Sequence, residues 1–277
     1  MPRRIYFLTT EIDPFAQTYQ LAQFSNRIPA IFNEKKQDIR IITPRYGFIS
    51  ERRYVIREVI RLREIKVDYK GEELIGAAKS AFVPSTKVQV YFLDYQPYFG
   101  STNKALYTVP AGRYNQRNPE KFFFFGKSAI ENLTYLYWQP EYLFCNDWTS
   151  AIAMILLKTV YKDEEFFAGM RTVLNLINPE EMGTVEEKHF LMAGLDPAIT
   201  KGYENNLLGL AVKYADEVTA ISFPDSDVLE KIKQNQKLTE ALDREQKKVQ
   251  HFSLAEDSEI GWRALGTKFE EFFNIEV

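Results

Sequence analysis

The decapeptide Glu141-Tyr-Leu-Phe-Cys-Asn-Asp-Trp-Thr-Ser150 constrains this chain more than any other stretch, because two structural periods meet in it across one polar turn. Tyr142 to Cys145 is an unbroken apolar run, the pattern of a strand buried on both faces. After Asn146-Asp147 the apolar residues Trp148, Ile152, Ile155 and Leu156 recur at helical spacing, and Asn or Asp is well suited to cap such a helix. A strand that feeds a helix through a polar turn is the repeating unit of an open α/β sheet. Ligands of such sheets bind at this junction, where free backbone N–H groups and the helix dipole converge. The turn is equally compatible with a helix cap that carries no chemistry.

The same alternation runs along the chain. Arg4 to Thr9 reads as a first strand, residues 18 to 32 as a helix, and Ile39 to Thr43 as a second strand. Between Arg53 and Val83 the period changes to two, with Val59, Arg61 and Arg63 against Ile60, Leu62 and Glu64, and Lys70-Gly71 suits a hairpin turn. The arginines of this ribbon interleave with Glu51, Glu58, Glu64, Asp68, Glu72 and Glu73, the pattern of a solvated face. Val88 to Asp94 is a further strand. The irregular segment Tyr95 to Asn118 follows, rich in Tyr, Asn, Gly and Pro. Its rings either stack on sugar faces or pack the loop onto the domain. Asn118-Pro119 then opens a helix with Phe122, Phe125, Ala129 and Leu133 on its core stripe. The expected fold is therefore α/β: a doubly wound, mostly parallel Rossmann-like sheet with a β-hairpin insertion. Everything after Ser222 reads as helix, ending in a stripe of Trp262, Leu265, Phe269 and Phe272.

Composition removes several functions. A net charge of -3 disfavours nucleic acid or an anionic membrane as partner, and no apolar run is long enough for a spanning helix or a signal peptide, so a cytoplasmic location is expected. The only cysteine, Cys145, lies within the apolar strand, which makes it a structural thiol. His189 and His251 have no partner at ligand spacing, so no metal site is assigned.

Several segments, in order and at compatible spacing, resemble the starch and bacterial glycogen synthase family. The turn keeps Asp147 and Trp148 of that family's His-Asp-Trp-His, with Asn146 and Thr149 at the histidines. The stretch from Tyr6 to Gln23 is similar to its opening strand and Lys-Thr-Gly-Gly-Leu-Gly-Asp loop. Glu11, Pro14, Phe15, Ala16, Thr18 and Leu21 match, whereas Gln17 replaces the lysine, Tyr19 and Gln20 the paired glycines, and Gln23 the aspartate. Thr43 to Gly47 is similar to Leu-Pro-Arg-Tyr-Gly. Leu174 to Gly183 keeps Asn178 and has Ile177 at a histidine, and Asn206 to Ser222 follows a further signature with Gly209 at its lysine.

The resemblance implies the N-terminal half of a GT-B glycosyltransferase. Residues 1–235 would form the synthase-like domain and residues 236–277 a helical extension packed on it. The donor-binding half is not expected among the roughly fifty residues after Ser222. Cleft candidates are Glu11, Asp13, Gln17, Thr18, Tyr95, Asn118, Asn146, Asp147, Trp148, Asn178 and Asn206, with no residue assigned a catalytic role and no cofactor. The implied ligands are an α-glucan or a sugar nucleotide. A second copy of the chain, a donor-domain partner or the chain's own C-terminal helices would cover the cleft face, rimmed by Tyr19, Tyr95, Trp148 and Met182. The departures remove a lysine that would meet a diphosphate and glycines that let backbone amides approach it. They favour a binding or regulatory module over a glucosyltransferase completed in trans. A reworked enzyme in which Glu11, Asp13, Asp94 and Asp147 meet at the strand ends is the third reading.

Overall fold

The structure, a computed structural model, describes residues 2–109 and 112–275. Its ten strands are β1 (Arg4–Leu8), β2 (Asp38–Pro44), β3 (Arg57–Glu58), β4 (Ile65–Tyr69), β5 (Glu72–Phe82), β6 (Gln89–Asp94), β7 (Tyr142–Asn146), β8 (Arg171–Leu176), β9 (Glu217–Ser222) and β10 (Val249–Ser253). They form one sheet in the order β10-β9-β8-β7-β1-β2-β6-β5-β3, with β4 paired to β5. From β10 to β6 every pairing is parallel, and β5 reverses direction against β6. β1 is central, with Ile5 opposite both Ile39 and Tyr142.

Unbroken apolar strands demand cover on both faces. On one face, the helices Leu21–Glu34 and Glu259–Phe272 pack on Phe7 and Phe144 through Phe24 and Phe269. On the other lie Asn118–Leu136, Asp147–Thr159 and Leu207–Tyr214, packed in series. The final apolar stripe is thus docked on the chain's own core, with Trp262 and Phe269 buried.

The hairpin forms where expected. Lys70 and Gly71, at φ 60° and 75°, make the two-residue turn between β4 and β5, both residues in the left-handed region that such a turn requires. Two details differ from the sequence reading. Ile60–Leu62 is a short 3₁₀ turn and not part of the ribbon, so the alternating strand starts only at Ile65. Leu62 there is buried while Ile60 is exposed, whereas a period of two would put both on one face of a strand. Val249–Ser253, expected as helix, is the edge strand β10, parallel to β9. It is polar because only half of it touches the core, chiefly Phe252, whose ring lies 4.5 Å from that of Phe269. The sheet therefore extends past residue 235.

Gly126 allows the helices Asn118–Leu136 and Asp147–Thr159 to touch. A Cβ there would lie 2.4 Å from Ile152 Cγ2 and 3.2 Å from the Ala153 nitrogen. Gly126→Val is expected to cost about 1–3 kcal/mol by overpacking, seen as a lower urea midpoint at unchanged slope. An unchanged midpoint would mean that the helices are not in this close contact.

Candidate functional site

The carboxyl ends of β1, β7 and β8 converge on Asp147. This residue turns the chain from β7 into its helix at φ 52°, a conformation that Asp and Asn tolerate better than most side chains. It is fully buried. Its Oδ1 accepts the Ile177 and Asn178 amides beyond β8 at 2.8 and 2.9 Å, and its Oδ2 accepts the Tyr19 hydroxyl at 2.8 Å. Burial pushes its carboxyl up to about 6. Glu11, also fully buried, accepts the Thr18 hydroxyl at 2.5 Å and the Thr18 and Tyr19 amides, and burial raises it to about 7. The segment Thr18-Tyr19 is thus clamped between two buried carboxyls. Burial and the charges of Asp147 and Glu11 hold the Tyr19 phenol neutral, its pKa well above the ordinary value.

Asn146 does not cap its helix with its side chain. Its Nδ2 donates to the Leu8 carbonyl at 2.8 Å, its Oδ1 accepts from Asn175, and Asn175 accepts from Thr219, also at 2.8 Å, giving a buried polar ladder across β1, β7, β8 and β9. Asn118 is likewise internal. Its Nδ2 donates to the Tyr107 carbonyl at 2.8 Å and to the Met182 carbonyl at 2.5 Å, and Pro119 follows it in the first turn. Trp148 is buried edge-on against Phe122 at 5.5 Å, beneath the cleft and not on its rim. Asn206 caps the helix Leu207–Tyr214 through Gly209 N at 2.9 Å.

The remaining candidates are more open. Gln17 and Thr18 are exposed, and Asp13 and Asn178 are half-buried. Tyr95 packs on Phe124, ring centres 4.4 Å apart, while Phe99 and Tyr107 are buried. Most rings of the 95–118 loop therefore pack it down. Asp94 is held by Arg45, Nε to Oδ2 2.7 Å, so of the four strand-end carboxylates only Glu11 and Asp147 share the Thr18-Tyr19 clamp.

Outside the clamp lies a cavity of about 360 Å³ lined by Gln17, Tyr19, Gln20, Gln23, Phe223, Asp225, Leu254 and Asp257, among others. The Gln20 amide donates to both Asp225 oxygens, at 3.1 and 3.0 Å. The described lining holds two carboxylates and no cation. Thr10, Asn175 and Thr219 belong to the same polar cluster but had no sequence signal, because an isolated Thr or Asn in an apolar strand looks like a packing residue, whereas Tyr107 and Thr149 join the cluster from the loop and the turn that the sequence had marked.

The family model of the starch synthase catalytic domain matches residues 4–243. The chain belongs to this family. A glycogen synthase of Chlorobium luteolum is 35% identical over 229 residues, covering 80% of this chain and 47% of the relative. That of Chlorobaculum parvum is 32% identical over 231 residues, again covering 80% and 47%. The solved catalytic domain of starch synthase IV from Arabidopsis thaliana, bound to ADP and acarbose, superposes with a TM-score of 0.71 at 19% identity. That match covers 91% of this chain and 52% of that one, and it establishes the GT-B half as the fold. The chain spans about half the length of the curated synthases it matches.

Within this starch synthase fold the clamp makes two measurable demands. Asp147→Ala leaves two amides and a phenol without their acceptor and is expected to cost about 3 kcal/mol or more, whereas Asp147→Asn, which keeps an amide oxygen and tolerates positive φ, should cost about 1. Equal losses in urea unfolding would remove Asp147 as the hub.

The second demand concerns pH. Both carboxyls are raised on folding, so their stabilising contribution is complete below about pH 4. It is lost as pH rises through about 6 for Asp147 and about 7 for Glu11. The stability of the wild type relative to Glu11→Gln should therefore fall by roughly 2–3 kcal/mol between pH 5 and 8. A flat difference would contradict the burial of Glu11.

Proposed function

We propose that this chain is a synthase-like module that binds a glucan or a related metabolite and does not transfer glucose by itself. The observation that carries this reading is the filled loop. Where the resemblance places paired glycines for a diphosphate, Tyr19 is tied to Asp147 and Gln20 to Asp225. An anionic donor at this edge would meet Asp225 and Asp257 with no cation in the described lining. A transferase must stabilise charge on the departing diphosphate, and losing one such contact typically costs about a hundredfold to a thousandfold in rate. Uncharged sugars suffer no such repulsion. A second reading follows from family membership: the chain supplies the acceptor side of an α-glucan glucosyltransferase whose donor side comes from a partner.

The chain incubated with ADP-glucose and glycogen is expected to release no glycogen-dependent ADP, and to be retarded in electrophoresis through gels containing glycogen. Sustained glycogen-dependent ADP release by the chain would overturn the non-catalytic reading. Absence of retardation would remove glucan as the ligand. ADP release only after the donor-binding half of a relative is added would establish the second reading.

A further inference from the structure

The helix Asn118–Leu136 carries two buried lysines, and they are not equivalent. Lys127 donates to the Ala193 carbonyl at 2.9 Å and has the carboxylates of Asp68 and Glu131 near enough to favour its charge. Lys121, 7% exposed, donates to the Leu106 carbonyl at 2.6 Å and lies 4.6 Å from the centre of the Phe122 ring. An ammonium has three protons to donate, and the described contacts use one. No carboxylate of the described residues supports Lys121. Its charged neighbour is Arg117, and burial together with that second cation brings its pKa down to about 7. Glu120, the nearest acid in sequence, is occupied by Lys70, Tyr98 and Arg117. A buried cation without a counter-charge costs several kcal/mol, a cost that a native core ordinarily avoids by pairing it.

Lys121 lines a cavity of about 260 Å³ beneath the loop Tyr95–Asn118. Arg117 stands at the same cavity, and Ser101, Asn103 and Asn115 offer hydroxyl and amide groups beside the ring of Tyr98. The described lining contains no carboxylate. The volume lies just below the usual range of about 300–1,000 Å³ for small-molecule sites, which limits the occupant to something small. Two cations match a phosphate dianion, for which a guanidinium fork and an ammonium are complementary donors. Asparagine amides, a serine hydroxyl and a ring face suit the hydroxyls and C–H surface of a sugar.

We propose that this cavity is a binding site for a small polyol monophosphate, its phosphate held between Lys121 and Arg117 and its hydroxyls by Ser101, Asn103 and Asn115. The site is separate from the clamp at Asp147 and does not depend on glucan binding or on the absence of transfer. Of the other ionisable side chains in the lining, Tyr46 and Tyr98 are raised by burial and stay neutral. At pH 8 the free lysine is largely neutral, so binding a dianion re-protonates it and takes up a proton.

Titration calorimetry of the chain at pH 8, in buffers of different ionisation enthalpy, tests this with ribose 5-phosphate, inorganic phosphate and ribose. Ribose 5-phosphate is expected to bind with uptake of close to one proton, inorganic phosphate about tenfold more weakly, and ribose not at all. Lys121→Met, which replaces an uncompensated cation by an apolar side chain of similar length, should fold at least as stably as the wild type and lose ribose 5-phosphate binding and the proton uptake. Arg117→Gln, at a largely exposed position, should weaken binding about tenfold or more while leaving most of the proton uptake in place, since burial is the larger cause of the lowered Lys121 pKa. Unaltered affinity in Lys121→Met, equal binding of ribose and ribose 5-phosphate, or no saturable binding of either phosphate by the wild type would each overturn the site. If Lys121→Met does not fold, loss of affinity in Arg117→Gln still supports the proposal and its absence overturns it.

Discussion

The buried turn at Asp147 is the constraint on which the rest of the cleft depends. A chain leaving a central parallel strand for a helix must place one residue where backbone donors from the next strand converge, and here that residue sits at positive φ with no solvent contact. Three donors end on its carboxyl: two from the segment beyond β8 and one from Tyr19 beyond β1. Through them a single side chain fixes three connections at the carboxyl edge of the sheet. Buried donors without an acceptor cost more than a made hydrogen bond returns, so the arrangement holds as a unit or not at all.

That unit turns what would be a cleft floor into an interior. The residue types expected to face a ligand there are polar, yet their partners are internal. Asn146 serves Leu8 and Asn175, Asn118 serves Tyr107 and Met182, and Glu11 serves Thr18 and Tyr19. A floor whose donors and acceptors are already matched has little to offer an incoming phosphate, and its outer wall adds Asp225 and Asp257. Family membership accounts for the scaffold. The substituted loop accounts for what now fills it.

The fold was legible because parallel strands announce themselves. Runs such as Tyr142 to Cys145 and Ile5 to Leu8 have no polar face, so they must be sandwiched between helices, and the Lys70-Gly71 pair, which takes positive φ, marked the hairpin. The edges were harder to read. Val249–Ser253 pairs on one side only and keeps polar outward residues, so its sequence lacks the strand signature while its backbone forms β10. Ile60–Leu62 shows the converse, an alternating sequence wound into one short turn. At the candidate site, sequence identified Glu11, Asp147 and Asn146 as neighbours of the carboxyl edge. It could not tell that they face inward, because burial of a polar side chain is decided by partners from distant strands, such as Asn175 and Thr219, that no local pattern reveals.

Polar satisfaction also separates the parts of this molecule that are finished from those that are not. In the Asp147 cluster the carboxyl oxygens all have donors, and along the ladder each asparagine oxygen has one. A few residues away, at the foot of the 95–118 loop, the ledger is open. The Asn118 Oδ1 is buried without a described partner, and Lys121 holds a charge that no described acid balances. Both sit in the first turn of one helix, beside a loop packed by its own rings. Packing alone would favour an apolar residue at position 121, since a methionine would fill the same space without the desolvation penalty. The cation there is unfavourable for the unliganded fold, and an anion is the partner that removes the penalty.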